Sequence, residues 1–182
     1  VKVSISVGFD FRNKLSGWRP SEIDILDEDY MSGSDQFVFD SKPLLFDIEM
    51  SGTPIVDLFI NMNKRDLDLY LSFYEVTPDG KSFQLSKTVQ RLSYLSSREK
   101  RTLVEPGQLN RFVFTNLYFV SKRIKKGSVI RLVVKPLNNP SWQKNYGTGK
   151  AVNDEDGNDA SPLVMQIFTG KKYKSSIHIP SV

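Results

Sequence analysis

An all-β sandwich or barrel is what this sequence predicts, on three observations. Apolar and polar residues alternate along most of the chain, turn residues break the alternation at short intervals, and no segment of useful length carries a helical period. Val3, Ile5, Val7 and Phe9 share one side of the first segment. Phe46, Ile48 and Met50 repeat the pattern, and after Gly52-Thr53-Pro54 so do Val56, Leu58, Ile60 and Met62. Leu67, Leu69, Leu71 and Phe73 give the longest clean run, which stops at Thr77-Pro78-Asp79-Gly80. There proline pre-sets φ and glycine accepts positive φ, so a hairpin turn is expected, with Phe83 and Leu85 restarting the sheet.

Further strands are expected at Val89–Tyr94, Phe112–Phe119, Val129–Lys135, Leu163–Thr169 and Tyr173–Ile179. Val129–Val134 is apolar at almost every position, the mark of a central strand buried on both faces. Glu105-Pro106-Gly107 and Lys126-Gly127 punctuate these strands, and one or two helical turns are expected near Ser121–Lys126. About ten short strands with turns between them indicate a sandwich or barrel. Two stretches escape the alternation: Asn13–Gln36, polar and acidic around Trp18, and Pro136–Pro162. Both read as long loops, a length commonly reserved for function or disorder. With no internal repeat, low-complexity tract or linker, residues 1–182 are expected to form one domain.

Composition supports a folded chain. Of 182 residues 39% are hydrophobic, and the 12 Phe, 7 Tyr and 2 Trp supply apolar area that disordered chains lack. No apolar run approaches the roughly 20 residues that span a bilayer as a helix, so no membrane association of that kind is expected. The first residues alternate and so do not form a signal peptide, and the start at Val1 suggests a processed protein or a piece of a longer one. The absence of cysteine excludes disulfides, metal–thiolate sites and thiol catalysis. A net charge of +4 is mild for a nucleic-acid binder. The basic clusters Arg98–Arg101, Lys122–Lys126 and Lys171–Lys174 read as solvated turns and strand edges, where lysines also discourage edge-to-edge pairing.

No catalytic constellation emerges. No two glycines stand four apart, so the G-x-S-x-G nucleophile elbow is missing. The single histidine, His178, lies on the strand face opposite Ile177 and Ile179, with nothing nearby to supply the rest of a triad. One histidine and no cysteine defeat most zinc sites. The acidic run Asn153–Asp159 offers hard oxygens suited to calcium but fails the EF-hand template, because Val152 and Leu163 would fill ligand positions. It reads as a solvated loop, and no metal or cofactor is expected. Gly147-Thr148-Gly149 is too short for a dinucleotide fingerprint, and Asp66 with Asp68 reads as a strand-start cap. On the second long loop, Trp142, Asn145 and Tyr146 are the candidate binding residues. Aromatics beside amides suit stacking on sugars or small ligands, pinning the loop, or docking against another domain.

Several segments in order resemble the C-terminal domain of the X-Pro dipeptidyl-peptidase and cocaine-esterase superfamily. Asp66–Gly80 is similar to its D-x-D…D-V-x-P-D-G signature, and Pro43-Leu44 followed by Met50–Pro54 is similar to its opening strands. Leu103–Gly107, Ile124–Arg131, Asn139-Pro140, Lys144–Gly149 and Ser175–Pro180 follow in the family's order, from Phe39 to the end. Two departures are visible. Ser128-Val129-Ile130-Arg131 stands in place of the family's G-H-R-[IL]-R strand, and Glu75 stands where Asp is usual.

The resemblance implies a jelly-roll β-sandwich similar to galactose-binding domains. In that family it follows an α/β-hydrolase domain that carries a Ser–Asp–His triad in acyl esterases, cephalosporin acylases, amino-acid ester hydrolases and X-Pro dipeptidyl-peptidases. The implied role is therefore non-catalytic. The domain would pack beside the catalytic domain of the same polypeptide and help shape its cleft, with homo-oligomer contacts in some members. Catalytic residues would lie outside these 182 residues. An independent carbohydrate-binding module is the alternative reading of the same sandwich and its loop aromatics.

Overall fold

The computed structural model describes residues 3–8, 10–11, 36–138 and 141–181. Trp18 and nearly all of the Asn13–Gln36 stretch, together with Asn139 and Pro140, lie outside the described residues. The strands are β1 Val3–Gly8, β2 Asp10–Phe11, β3 Phe37–Asp40, β4 Ile48–Gly52, β5 Ile55–Met62 and β6 Asp68–Val76. They continue with β7 Ser82–Arg91, β8 Leu109–Phe114, β9 Val120–Ile124, β10 Val129–Pro136, β11 Met165–Phe168 and β12 Ser176–Ser181. Every described pairing is antiparallel.

Two sheets result. The larger runs β11-β5-β12-β4-β9, with β1 beside β12 and β8 beside β5; the smaller runs β2-β3-β10-β6-β7. One apolar core lies between them. Val56, Leu58, Ile60, Met62, Phe112, Phe114, Ile177 and Ile179 enter it from the larger sheet, and Leu69, Leu71, Phe73, Ile130, Leu132 and Val134 from the smaller. These are the alternate positions of β5, β6, β10 and β12, so the period-two pattern converts directly into an inner face. Each such side chain contributes about 1.5–3 kcal/mol through burial.

The central strands β6 and β10 are buried on both sides. Val38, Tyr74 and Val133 form a second apolar cluster, away from the main core. On that same face Arg131 forks onto Asp40 with contacts of 2.7 and 2.8 Å, and both residues are buried. A buried charge is tolerated here because its partner and geometry are complete.

Several sequence expectations need correction. Residues near Ser121–Lys126 form strand β9, not a helix, because Val120 and Ile124 reach the core as alternate residues while β4 supplies backbone partners. Val89–Arg91 continues β7, and Leu92–Tyr94 closes it as a single 3-10 turn. The Phe112–Phe119 run divides into β8 and a connection to β9. Phe46 does not join Ile48 and Met50 in the core. It lies before β4 and is exposed. The expected hairpin forms at Gly80 (φ 86°), with the Gly80 amide donating to Thr77 O at 2.8 Å.

Gly52 (φ 146°) turns the corner from β4 to β5 beneath β12. A Cβ there would stand 2.7 Å from Pro180 Cγ, so glycine is required by contact as well as by dihedral angle.

Candidate functional site

The long loop at 137–164 begins where β10 leaves the smaller sheet, and it is organised by two carboxylates at the start of β6. Asp66 is fully buried. It accepts from the amides of Leu67 (2.9 Å) and Ser93 (3.0 Å), from Ser93 Oγ (2.7 Å) and from the Arg101 guanidinium (3.1 Å). Arg101 in turn donates to the carbonyls of Gly149 (3.1 Å) and Lys150 (2.6 Å). One buried acid thus ties the segment after β7 to the loop.

Asp68 is the second tie. Arg91 grips it through two contacts of 2.7 and 2.8 Å, and Asn145 Nδ2 donates to Oδ1 at 3.0 Å. The other end of the Asn145 amide accepts from the Gly147 N–H at 2.9 Å. Gly147 O then accepts from the Arg65 amide at 2.9 Å. Gly147 has φ 78°, and a Cβ there would lie 2.7 Å from Asp66 O. Only glycine lets the loop approach this closely.

Glu155 completes the brace. It accepts from the Tyr146 amide (2.7 Å), the Thr148 amide (2.9 Å) and the Thr148 hydroxyl. Partial burial opposes its charge, but these donors outweigh that effect and hold its pKa below the ordinary glutamate value. Asp156 caps the next 3-10 turn, and Asp159 pairs with Lys150 at 2.7 Å. The acidic run therefore serves the loop itself. Among the described residues no group of three His, Asp or Glu is arranged to hold a metal.

Of the three binding residues expected from the sequence, Asn145 and Tyr146 sit in the braced segment and Trp142 stands outside it. Trp142 is 50% exposed, and makes no hydrogen bond or ring contact among the described residues. The hydrogen bonds that brace the loop come from the carboxylates. Sequence reading missed this because Asp66 and Asp68 look like a simple cap, and because Arg101 belongs to an exposed basic cluster. The usable signal was the D-x-D spacing ahead of two separated arginines.

Several described polar groups elsewhere are also engaged in structure. His178 Nε2 lies 3.4 Å from Ser176 Oγ on the outer face of the larger sheet. The neighbouring carboxylate, Asp57, pairs with Ser176 across the strands but is gripped by Arg111 at 2.6–3.1 Å. Among the described residues no carboxylate orients the imidazole, so Ser176, His178 and Asp57 share a face there without forming a relay. Glu75 and Ser128, the two departures from the family pattern, touch each other. Ser128 Oγ donates to Glu75 Oε1 at 2.8 Å, and Lys122 closes the buried acid at 2.7 Å.

These features define a β-sandwich module whose described buried charges serve its own strands and loops. The chain belongs to the family described as the X-Pro dipeptidyl-peptidase C-terminal non-catalytic domain, whose profile matches residues 15–178. It is 25% identical over 148 residues to the cocaine esterase of Rhodococcus sp. (strain MB1 Bresler), covering 81% of this chain and 26% of that protein.

Among solved structures it is similar to an aminopeptidase from a marine sediment Thaumarchaeota archaeon (TM-score 0.76, 16% identity, all of this chain and 33% of that one). An α-amino acid ester hydrolase gives a TM-score of 0.77 at 17% identity, over 97% of this chain and 33% of that one. A CocE/NonD family hydrolase from Staphylococcus aureus gives 0.57 at 18% identity, over 81% and 30%. The chain thus spans about a quarter to a third of the length of these relatives.

Proposed function

We propose that this chain is the accessory domain of a serine hydrolase acting on acyl esters, amides or X-Pro peptides, packed beside an α/β-hydrolase domain of the same polypeptide. In this reading the Trp142 loop helps shape the substrate cleft. The observation that carries it is a half-exposed tryptophan on a loop whose base is fixed by Asp68, Arg101 and Glu155. Exposed aromatic area on pre-ordered backbone loses little entropy on contact, which is what a docking or cleft-lining residue needs. Family membership and the greater length of the relatives support the same reading.

Two measurements test it. The 182-residue chain should give no p-nitrophenyl ester hydrolysis above buffer; turnover abolished by a serine-directed inhibitor overturns the non-catalytic role. In the polypeptide that includes the hydrolase domain, Trp142→Ala should raise KM or weaken association of the two domains. A carbohydrate-binding module is also served by the exposed Trp142, and a saturable fluorescence change with an oligosaccharide would favour it.

A further inference from the structure

We infer that β9 is a strand-addition site for an extended, acidic segment of a partner protein. β9 pairs with β4 along one side, and no described strand pairs with the other. Among the described residues the backbone of Val120–Ile124 makes no bond beyond those pairings, while the side chains of Lys122 and Arg123 reach Glu75 (2.7 Å) and Asp47 (3.1 Å). Such an edge presents unpaired N–H and C=O groups that a second strand can satisfy.

What distinguishes this edge is its flanks. Immediately before β9, Tyr118 and Phe119 are 63% and 65% exposed; near its far end, Leu45 and Phe46 are 82% and 62% exposed. Both pairs stand on pinned backbone. Tyr118 O accepts from Ser86 Oγ at 2.9 Å. Leu44 exchanges bonds of 2.9 Å with Ser128 and Gly127, and Asp47 accepts from the Lys126 amide at 2.8 Å. Strand addition takes its affinity from main-chain hydrogen bonds, and these exposed apolar pairs offer further contact area at both ends of the edge.

The charges choose the occupant. The segments that form this strip carry Lys42, Lys122, Arg123, Lys125 and Lys126, against Asp47, Glu49 and the Glu75 that pairs with Lys122. Asp47 is shared between Arg123 (3.1 Å) and Lys125 (3.2 Å), and Arg123 also stands opposite Glu49 across the strands. A second copy of β9 fits poorly. Antiparallel self-pairing about the middle of the strand sets Lys122 against Lys122, and parallel pairing sets every cation against itself, which is destabilising. An acidic strand meets none of this repulsion. The site is independent of the Trp142 loop, since β10 separates Ser128 from the start of that loop by its full length, roughly 25 Å.

The probes are two capped heptapeptides, one alternating Glu with Val and one alternating Lys with Val, added to the 182-residue chain. The acidic peptide should slow amide exchange in Val120–Ile124 by about tenfold at saturating concentration. Salt should weaken the effect, and the basic peptide should not produce it. Arg123→Glu with Lys125→Glu should reverse the preference. Leu45→Ser with Phe46→Ser should weaken binding while leaving circular dichroism and the unfolding midpoint unchanged. Equal protection by both peptides, protection on another strand, or none on β9 would overturn the assignment.

Discussion

β6 and the loop at 137–164 meet at Asp68, yet different forces keep them ordered. β6 presents Leu69, Leu71 and Phe73 to the main core and Tyr74 to the second apolar cluster, and its order comes from area withdrawn from water. The loop has few buried apolar residues beyond Leu137 and Val152. Its order comes from Glu155 and Arg101, which satisfy backbone groups that a loop leaves unpaired, and from Asp66 and Asp68, which hold Arg101 and the Asn145 side chain in place. A region held by area fails globally. A region held by a few charged hydrogen bonds can fail locally, while the sandwich stays folded.

The largest effect should come from the core. Phe73→Ala should cost about 3–5 kcal/mol, read as a lower midpoint of cooperative denaturant unfolding. A loss below 1 kcal/mol would mean that β6 depends less on area than its burial implies. Asp66→Ala should come next, at about 2–3 kcal/mol, below the value for a fully buried pair because Arg101 retains some solvent. Its distinguishing mark is faster amide exchange in the loop and after β7 before any change in the core. Gly147→Ala should cost about 1–3 kcal/mol through positive φ and contact with Asp66 O, again with loop exchange rising first.

Acid sharpens the same contrast. Because the folded pKa of Glu155 lies below its ordinary value, its contribution is complete above pH 4.5 and is lost as pH falls through the folded pKa. The Tyr146 and Thr148 amides should lose protection in that interval, and Glu155→Gln should remove the pH dependence. The smallest effect belongs to Trp142→Ala, within about 0.5 kcal/mol in this chain, because a half-exposed side chain with no hydrogen bond or ring contact among the described residues stabilises little. A larger loss would mean that the loop is held by apolar contact after all.

Legibility in the sequence follows the same division. Burial against the core imposes the two-residue period that marks β5 and the β6–β7 hairpin, and burial on both faces makes the continuous apolar run that marks β10, so these could be read from the order of residues. The helix expected at Ser121–Lys126 failed because a five-residue edge strand carries only two core residues, Val120 and Ile124, too few to show a period. Phe46 failed for the related reason that alternation does not reveal where a strand begins. For the site, Trp142, Asn145 and Tyr146 could be nominated from their chemistry and their long loop. The brace could not, because its partners lie far apart in sequence: Asp66 with Arg101, and Asp68 with Asn145.

By itself the sequence determined the layered β architecture, the central strands and the lack of a nucleophile elbow, since each depends on residue type at short spacing. Only the tertiary structure decided that two carboxylates organise the loop, that Glu75, Ser128 and Lys122 form one buried contact, and that no described strand pairs with the outer side of β9. Those outcomes depend on which distant segments become neighbours, and hydrogen bonds and ion pairs act over a few ångströms whatever the separation along the chain.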